Sequence, residues 1–264
     1  MSCPEGDRTV GSDDELARAF AEEAGRRLVA LRARGGAGDL RAAGDRSSHE
    51  FLISELARLR PGDAVLSEEG KDDPARLAAG RVWIVDPLDG TREFGEPGRS
   101  DWAVHVALWE HGELTAGAVA LPAQGRVLST AAPPAPPGPS PASGASARPL
   151  RIVVSRTRAP AFAAAVAQDV GATLVPLGSA GAKAAAVILG EADAYLHAGG
   201  QYEWDSAAPV AVALAAGLHA SRIDGSKLEY NQASPWQPDI LICPGKLADR
   251  LLAAIGAARR TATE

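Results

Sequence analysis

The sequence lacks the features of a disulfide-bonded, zinc-thiolate or membrane-spanning protein. Only two cysteines, Cys3 and Cys243, occur among its 264 residues, which is too few for a disulfide framework or a Cys-based zinc site. No stretch approaches the roughly 18 consecutive apolar residues that a helix needs to cross a bilayer. The first ten residues include charged side chains and no apolar signal segment. We therefore expect a cytoplasmic protein with no membrane partner.

An excess of positive charge is also missing. The 27 lysines and arginines are outnumbered by 33 aspartates and glutamates, which leaves a formal net charge of -6. Because a nucleic-acid backbone attracts basic surfaces, no nucleic-acid partner is expected. Hydrophobic residues make up 46% of the chain, so it is long enough to bury a substantial core in one large domain or two packed halves.

The first half reads as two helices followed by a sheet. Ser12 and Glu15 form a capping-box pattern, which predicts a first helix that ends at Gly35. A second helix is predicted to begin near Asp45 and to end before Pro61. Short apolar runs then predict strands at residues 64–66, 81–85, 102–109, 114–121 and 126–129.

Seven prolines mark a boundary near the middle of the chain. They lie within residues 133–149, a composition typical of an extended, exposed connector. We predict an N-terminal α+β half, residues 1–132, and a C-terminal α/β half, residues 150–264. In the second half, helices are predicted at 159–170, 181–189, 206–215 and 246–258, and strands at 152–154, 173–176, 194–196 and 239–243.

Residues 86–91, Asp-Pro-Leu-Asp-Gly-Thr, directly follow the apolar strand at 81–85. Mg²⁺ prefers oxygen ligands, and this turn can supply the Asp86 and Asp89 carboxylates and the Leu88 carbonyl. If a helix begins after Gly90, its first N–H groups can face a phosphate. An ordinary polar turn is the competing interpretation.

Two further acidic positions have both a functional and a structural interpretation. Glu68 and Glu69 follow a predicted strand, where sheets present functional groups, but acidic pairs are also common on solvated surfaces. Asp205 precedes a predicted helix and is a candidate for a helix cap or a metal ligand. Three acidic clusters in one chain favour a metal site. The five histidines show no paired ligand spacing.

The order of these motifs resembles the inositol monophosphatase superfamily of metal-dependent, lithium-sensitive phosphatases. The matching residues are Asp45, Glu68-Glu69, residues 86–91 and Trp204-Asp205. The resemblance covers nearly the whole chain. It implies the layered αβαβα sandwich of the inositol monophosphatase and fructose-1,6-bisphosphatase type, of α+β or α/β class. One departure is Gly217-Leu218, where the family usually has Gly-Gly.

The resemblance also implies a role for each matching residue. Glu68, Asp86 and the Leu88 carbonyl would bind one Mg²⁺, and Asp86, Asp89 and Asp205 a second, with two or three ions per site. Thr91, hydrogen-bonded to Asp45, would orient and help deprotonate the attacking water. The substrate phosphate would lie against the residues that surround the metals: Glu68, Leu88, Gly90, Thr91 and Asp205. Dimers are common in the superfamily, so a homodimer is a further expectation.

Two stretches resemble CysQ-type 3'(2'),5'-bisphosphate nucleotidases, namely residues 155–158 and 178–183. Arg156 and Lys183 would then neutralise a second substrate phosphate, although solvated charges are the plainer interpretation. The implied reaction converts 3'-phosphoadenosine 5'-phosphate, a by-product of sulfur assimilation, to AMP and phosphate. The 5'-phosphosulfate analogue is a second expected substrate.

Two alternatives stay open at this point. The same chemistry could act on inositol-1-phosphate or fructose-1,6-bisphosphate, because the metal centre contacts only the phosphate. A non-catalytic metal or nucleotide sensor is the alternative of another class. The pairing of Thr91 with Asp45 argues against the sensor, because binding alone does not require a water-activating pair.

Overall fold

The computed structural model describes residues 11–35, 39–136 and 148–261. The described part of the first half contains three α-helices. They are α1 (Asp13–Arg34), α2 (Leu40–Leu59) and the short α3 (Thr91–Gly95). The capping box at Ser12 and Glu15 is present, as predicted. Helix α2 begins earlier than expected near Asp45, because the Asp39 side chain accepts a hydrogen bond from Arg41 N at 3.0 Å and caps the helix. Asp45 therefore lies inside α2.

The first sheet has five strands in chain order. They are β1 (Ala64–Ser67), β2 (Arg81–Asp89), β3 (Ala103–Glu110), β4 (Glu113–Leu121) and β5 (Arg126–Ser129). Strands β1 and β2 are parallel, and the other neighbours are antiparallel. Strand β2 extends beyond the predicted residue 85, and its pairing with β3 shifts register between Asp86 and Asp89. Asp86 lies opposite His105 and Asp89 opposite Ala103, so the irregularity falls between the two aspartates.

The second sheet is mixed and combines strands from the whole second half. In chain order the elements are β6 (Leu150–Ser155), α4 (Ala163–Asp169), β7 (Ala172–Leu177), α5 (Ala180–Ile188), β8 (Ala194–Tyr202), α6 (Glu203–Ala215), β9 (Leu218–Ser221), β10 (Trp236–Pro244) and α7 (Gly245–Thr261). The strand order is β7-β6-β8-β10-β9. The four-residue β9 was not predicted. Helix α4 starts later than residue 159, because a turn in which Ala163 N bonds the Pro160 carbonyl precedes it.

These elements stack in five layers. Helices α1 and α2 cover one face of the first sheet, α5 and α6 lie between the two sheets, and α4 and α7 cover the outer face of the second sheet. Three apolar clusters fill the interfaces between these layers. The αβαβα sandwich that the family resemblance implied is confirmed. Because α6 contacts β2 in the central layer, its first turn lies near the acidic end of that strand.

The remaining features are the proline-rich connector and two short 3-10 helices. Residues 137–147 of the proline-rich connector lie outside the described residues, and the division into halves at 132 and 150 stays a prediction. Short 3-10 helices occupy Pro74–Ala78 and Pro122–Gln124. Among the described residues, no helix has the length and apolar character required to cross a membrane.

Candidate active site

Three carboxylates predicted as metal ligands meet in the structure. Asp86, Asp89 and Asp205 each offer an oxygen within 4.8 Å of the others. Glu68 lies beside them, because its carboxyl group interacts with those of Asp86, Asp89 and Asp205. Asp86 and Asp89 come from the end of β2, whereas Asp205 comes from α6. The site is therefore assembled from both halves of the chain.

The irregular end of β2 and the residues that follow it are held by local hydrogen bonds. Asp86 Oδ1 accepts from Leu88 N at 3.0 Å, and Thr91 Oγ1 lies 3.0 Å from the Leu88 carbonyl oxygen. Gly90 has φ 84°, in the left-handed region that glycine adopts readily. This conformation lets the chain enter α3 at Thr91 directly after the two aspartates.

Asp89 is bound by groups that the sequence analysis did not identify. The first N–H groups of α5 donate to its carboxylate, Ala180 N at 3.1 Å and Gly181 N at 2.6 Å. His105 Nε2 lies 3.2 Å from Asp89 Oδ2. Burial alone would raise the pKa of Asp89, but the charge and hydrogen bonding of His105, followed by the charge of Lys183, lower it below its ordinary value. Asp89 is therefore held ionised.

His105 connects two parts of the site. Its Nδ1 lies 3.0 Å from the Trp204 carbonyl, which can only accept, so Nδ1 carries a proton. Burial opposes charging of the ring, yet the neighbouring Asp89 carboxylate raises the pKa of His105 above its ordinary value. The imidazole thus links the end of β2 to the residue before Asp205.

Asp205 combines the two roles that the sequence left open. Its Oδ2 accepts from Tyr202 N at 2.6 Å at the start of α6, while the carboxylate also belongs to the acidic cluster. The predicted helix start at residue 206 was wrong, because α6 begins at Glu203 and Asp205 lies in its first turn. Burial and then the charge of Asp89 raise the pKa of Asp205 to about 6.

The cluster carries strong mutual repulsion. Burial, followed by the charges of Glu68 and Asp89, raises the pKa of Asp86 well above its ordinary value. Glu68 is exposed as a residue, but its carboxyl group faces the cluster and is partly shielded from water. This burial, with repulsion from Asp205 and Asp89, raises the pKa of Glu68 to about 7. A cation would relieve this repulsion. An all-oxygen donor set fits a hard divalent ion.

The structure brings Asp45 and Thr91 together, the pair that the family resemblance implied. Thr91 Oγ1 donates to Asp45 Oδ1 at 3.2 Å, across 46 residues of chain. Burial and then the charge of Glu69 raise the pKa of Asp45 to about 6. The pair lies beside the acidic turn, because the same Thr91 hydroxyl also contacts the Leu88 carbonyl.

A cavity of about 460 Å³ opens beside the cluster. Residues from both halves line it, among them Thr91, Arg158, Lys183, Tyr195, His197 and Asp205. Lys183 is buried, and its Nζ donates to the Ser179 carbonyl at 2.7 Å and to the Gly178 carbonyl. Burial lowers the pKa of Lys183 to about 8, although Asp89 and Asp205 oppose that shift. The cavity therefore joins an acidic end to a cationic wall.

Arg156, the other predicted substrate cation, also lines this cavity but has acidic partners. Its Nη2 bonds Glu93 Oε1 at 2.7 Å and Glu96 Oε1 at 3.0 Å. Arg158, two residues later, is exposed on the cavity wall and its side chain has no hydrogen bond or ion pair among the described residues. Arg158 belongs to the stretch 155–158 that carries the resemblance, but only Arg156 was predicted to bind substrate, because nothing in the pattern separates the two arginines.

The contacts of α5 and His105 carried different sequence signals. Ser179 accepts from Ala182 N as the cap of α5, so a cap pattern before a small-residue helix was available. No sequence signal identified His105, because its position near Asp89 depends on the register in which β3 pairs with β2 and places His105 opposite Asp86.

Comparison with known proteins agrees with this geometry. A sequence model of the inositol monophosphatase family matches residues 13–260. A 3'-phosphoadenosine 5'-phosphate phosphatase of Mycobacterium tuberculosis is 53% identical over 253 residues, which cover 90% of this chain and 91% of that protein. The 3'(2'),5'-bisphosphate nucleotidase CysQ of Escherichia coli is 34% identical over 206 residues, covering 71% of this chain and 78% of that protein.

Solved structures show the same architecture. The crystal structure of CysQ from Bacteroides thetaiotaomicron superimposes with a TM-score of 0.72 at 24% identity, covering 88% of this chain and 97% of that one. Inositol monophosphatase II from Staphylococcus aureus superimposes with a TM-score of 0.75 at 20% identity, covering 90% and 91%. With its fold, its acidic cluster and the match over residues 13–260, the chain belongs to the inositol monophosphatase family.

Proposed function

We propose that this chain is a Mg²⁺-dependent phosphomonoesterase that converts 3'-phosphoadenosine 5'-phosphate to AMP and phosphate. The observation that carries the proposal is the meeting of the acidic cluster with the Thr91–Asp45 pair at one end of a cavity whose wall is cationic. Relatives that are 50–53% identical and bear the name 3'-phosphoadenosine 5'-phosphate phosphatase support the choice of substrate. The 5'-phosphosulfate analogue is proposed as a second substrate.

The metal ligands proposed for this chain are Glu68, Asp86, Asp89, Asp205 and the Leu88 carbonyl. They would hold two or three Mg²⁺ ions, since each is an oxygen donor and the carboxylates repel one another without a cation. When bound, Mg²⁺ supplies neutralisation of the phosphoryl oxygens and a lower pKa for water. The same residues, with Gly90 and Thr91, would border the substrate phosphate.

Thr91 and Asp45 are proposed to orient the attacking water and to accept its proton. The Thr91 hydroxyl donates to Asp45, which leaves its oxygen lone pairs to accept a hydrogen bond from the water. Because the pKa of Asp45 is about 6, the carboxylate is mainly ionised at pH 7 and can accept a proton through Thr91. Water adds to phosphorus and gives up a proton to Asp45 through Thr91, while the bond between phosphorus and the 3'-oxygen breaks and its electron pair stays on that oxygen. The oxygen then takes a proton from solvent and becomes the 3'-hydroxyl of AMP.

Lys183 and Arg158 are proposed to bind the second phosphate. Lys183 Nζ has three N–H donors and uses two on the carbonyls of Gly178 and Ser179, so one is left for a ligand in the cavity. The Arg158 side chain has no hydrogen bond or ion pair among the described residues. Arg156, predicted for this role from the sequence, is proposed instead to organise the wall through Glu93 and Glu96.

The central test is phosphate release from 3'-phosphoadenosine 5'-phosphate, inositol-1-phosphate and fructose-1,6-bisphosphate, with Mg²⁺, with EDTA and with added Li⁺. We expect Mg²⁺-dependent release that favours the nucleotide and that Li⁺ suppresses. Comparable turnover of the two sugar phosphates would retain the mechanism and overturn the substrate. Absence of turnover with every substrate, despite nucleotide binding, would favour the sensor.

The second-phosphate subsite has its own test. Arg158→Met should raise KM for 3'-phosphoadenosine 5'-phosphate about tenfold, the effect of losing roughly 1.4 kcal/mol. It should leave KM for 3'-AMP, which lacks the 5'-phosphate, near the native value. Arg156→Met is the matched control and should not distinguish the two substrates. Equal KM changes for both substrates in Arg158→Met would remove Arg158 from the subsite.

A cytoplasmic location and a homodimer also stay proposals for this chain. Fractionation of cells would test the first, and sedimentation of the purified protein would test the second.

A further inference from the structure

Arg76 is buried in a segment that otherwise faces solvent. Residues 71–75 and 77–78 are exposed, whereas only 1% of the Arg76 surface is exposed. This segment follows Glu68 and Glu69 and ends in the 3-10 helix Pro74–Ala78. Because a buried guanidinium is unfavourable unless it is paired and hydrogen-bonded, its partners define what the segment is attached to.

The guanidinium of Arg76 binds both its own segment and a distant one. Nε and Nη2 donate to the Asp72 carboxylate at 2.6 and 3.0 Å. Nη1 donates to Asn231 Oδ1 at 2.7 Å, and Nη2 to the Gln232 carbonyl at 3.0 Å. Asn231 Nδ2 returns a bond to the Arg76 carbonyl at 3.2 Å. The segment after Glu68 is thereby attached to residues 231 and 232, before β10.

The same two residues also hold the first turn of α6. Glu203, which is fully buried, accepts from Asn231 N at 2.7 Å and from Gln232 N at 2.8 Å. Asn231 has φ 57°, a left-handed conformation that brings its N–H and side chain to opposite partners. Arg76 and Glu203 therefore both hydrogen-bond to the turn at residues 231 and 232. Glu203 is two residues before Asp205.

We infer that Arg76 and Asn231 are positioning residues that hold the Glu68 segment against the first turn of α6 and so set the spacing of Glu68 and Asp205 for Mg²⁺. This inference rests on the proposed Mg²⁺-dependent function. Glu68 and Asp205 repel each other, and Glu68 lies at the exposed start of the segment that follows β1. Without the hydrogen bonds of Arg76, that repulsion would move the two carboxylates apart and lower the affinity of the site for Mg²⁺.

The test compares Mg²⁺ affinity in three variants of the full chain. Arg76→Met removes the guanidinium, and Asn231→Gly removes the side chain while it tolerates the left-handed backbone. Arg222→Met is the control, because Arg222 makes a bidentate pair with Asp239 at 2.7 and 2.9 Å, whose oxygens are outside the acidic cluster. Mg²⁺ affinity is measured without substrate by calorimetric titration, and kcat is measured at saturating Mg²⁺.

We expect Arg76→Met and Asn231→Gly to weaken Mg²⁺ binding by about 10-fold or more, the scale found for residues that orient metal ligands. The kcat at saturating Mg²⁺ should stay near native, and Arg76→Lys should restore part of the affinity. Arg222→Met should bind Mg²⁺ as the native chain does. Unchanged Mg²⁺ affinity in both variants would overturn the inference alone, whereas failure of the native chain to bind Mg²⁺ would overturn the proposed metal site and the inference together.

Discussion

At the residue scale, Asp205 shows how one carboxylate serves both structure and chemistry. One oxygen accepts from Tyr202 N at 2.6 Å, which satisfies an N–H at the start of α6. The group also lies within 4.8 Å of Asp86 and Asp89. The negative charge is stabilised by the helix N-terminus and destabilised by the neighbouring carboxylates. Its two roles can be separated, because only the second requires charge.

Asp205→Asn tests this separation. An asparagine oxygen can still accept from Tyr202 N, so the helix start should be retained, while one anionic ligand is lost. We expect turnover of 3'-phosphoadenosine 5'-phosphate to fall by at least about 100-fold, the effect of losing roughly 2.7 kcal/mol of stabilisation. The melting temperature in EDTA should be unchanged or higher, because repulsion with Asp89 is removed. A large fall in that melting temperature would contradict this separation of roles.

The pH dependence of turnover should report Asp45. Its pKa is raised to about 6 by burial and then by the charge of Glu69. Since the carboxylate accepts a proton only when ionised, we expect kcat to be lost as the pH falls through about 6. Glu69→Gln removes the raising charge, lowers the pKa of Asp45 and should preserve kcat to lower pH. An acid limb that does not move in Glu69→Gln would argue against Asp45 as the base.

At the scale of a single element, α5 completes the site from the opposite half of the chain. Its first N–H groups bind Asp89, and its position depends on a glycine. A Cβ at Gly181 would lie 2.3 Å from His105 Nε2 and 2.8 Å from the Ala103 Cβ. The close approach of α5 to β3 therefore requires glycine at this position.

Gly181→Ala should disturb this contact. The added methyl must displace His105 or move α5, so we expect a loss of about 1–3 kcal/mol of unfolding free energy together with reduced turnover. Gly256→Ala in α7 is the matched control, because its Cβ would meet only Arg260 Nη1, at 3.5 Å. There, alanine should stabilise the chain by up to about 1 kcal/mol. Denaturant unfolding of both variants measures the difference, and equal effects would remove the special role of Gly181.

At the scale of the whole molecule, the candidate metal site joins the two halves. Asp86 and Asp89 lie at the end of a strand of the first sheet, whereas Asp205 lies in the first turn of the helix between the sheets. A cation that contacts all three carboxylates would bind the folded chain and not the unfolded chain, since only folding brings these residues together. Binding energy would therefore appear as stability of the entire sandwich.

Thermal unfolding at different pH values should reveal this coupling. The pKa values of Glu68, about 7, and Asp205, about 6, in the folded chain exceed their ordinary values of 4.5 and 3.8. Without Mg²⁺, their contribution to stability is present below about pH 4 and is lost as the pH rises through 6 to 7. We expect the increase in melting temperature caused by Mg²⁺ over EDTA to grow from pH 5 to pH 8. An increase that is the same at both pH values would contradict the coupling.

Several functional elements were readable in the sequence because their signals are local. The turn at residues 86–91 follows an apolar strand, and the Glu68-Glu69 pair follows another, so their chemistry is visible within a few residues of chain. The resemblance then connected these motifs to Asp45 and Asp205. The structure brings these residues together, with Thr91 bonding Asp45 at 3.2 Å.

By itself, the sequence determined the element types, the acidic motifs and the family, since strand and helix periodicity and short motifs are properties of neighbouring residues. Tertiary structure alone decided which distant groups meet: His105 with Asp89, Arg156 with Glu93, and Arg76 with Asn231, 155 residues away. Periodicity reveals which face of an element is apolar but not which other element covers it. The partners of a side chain are therefore set by the packing of layers.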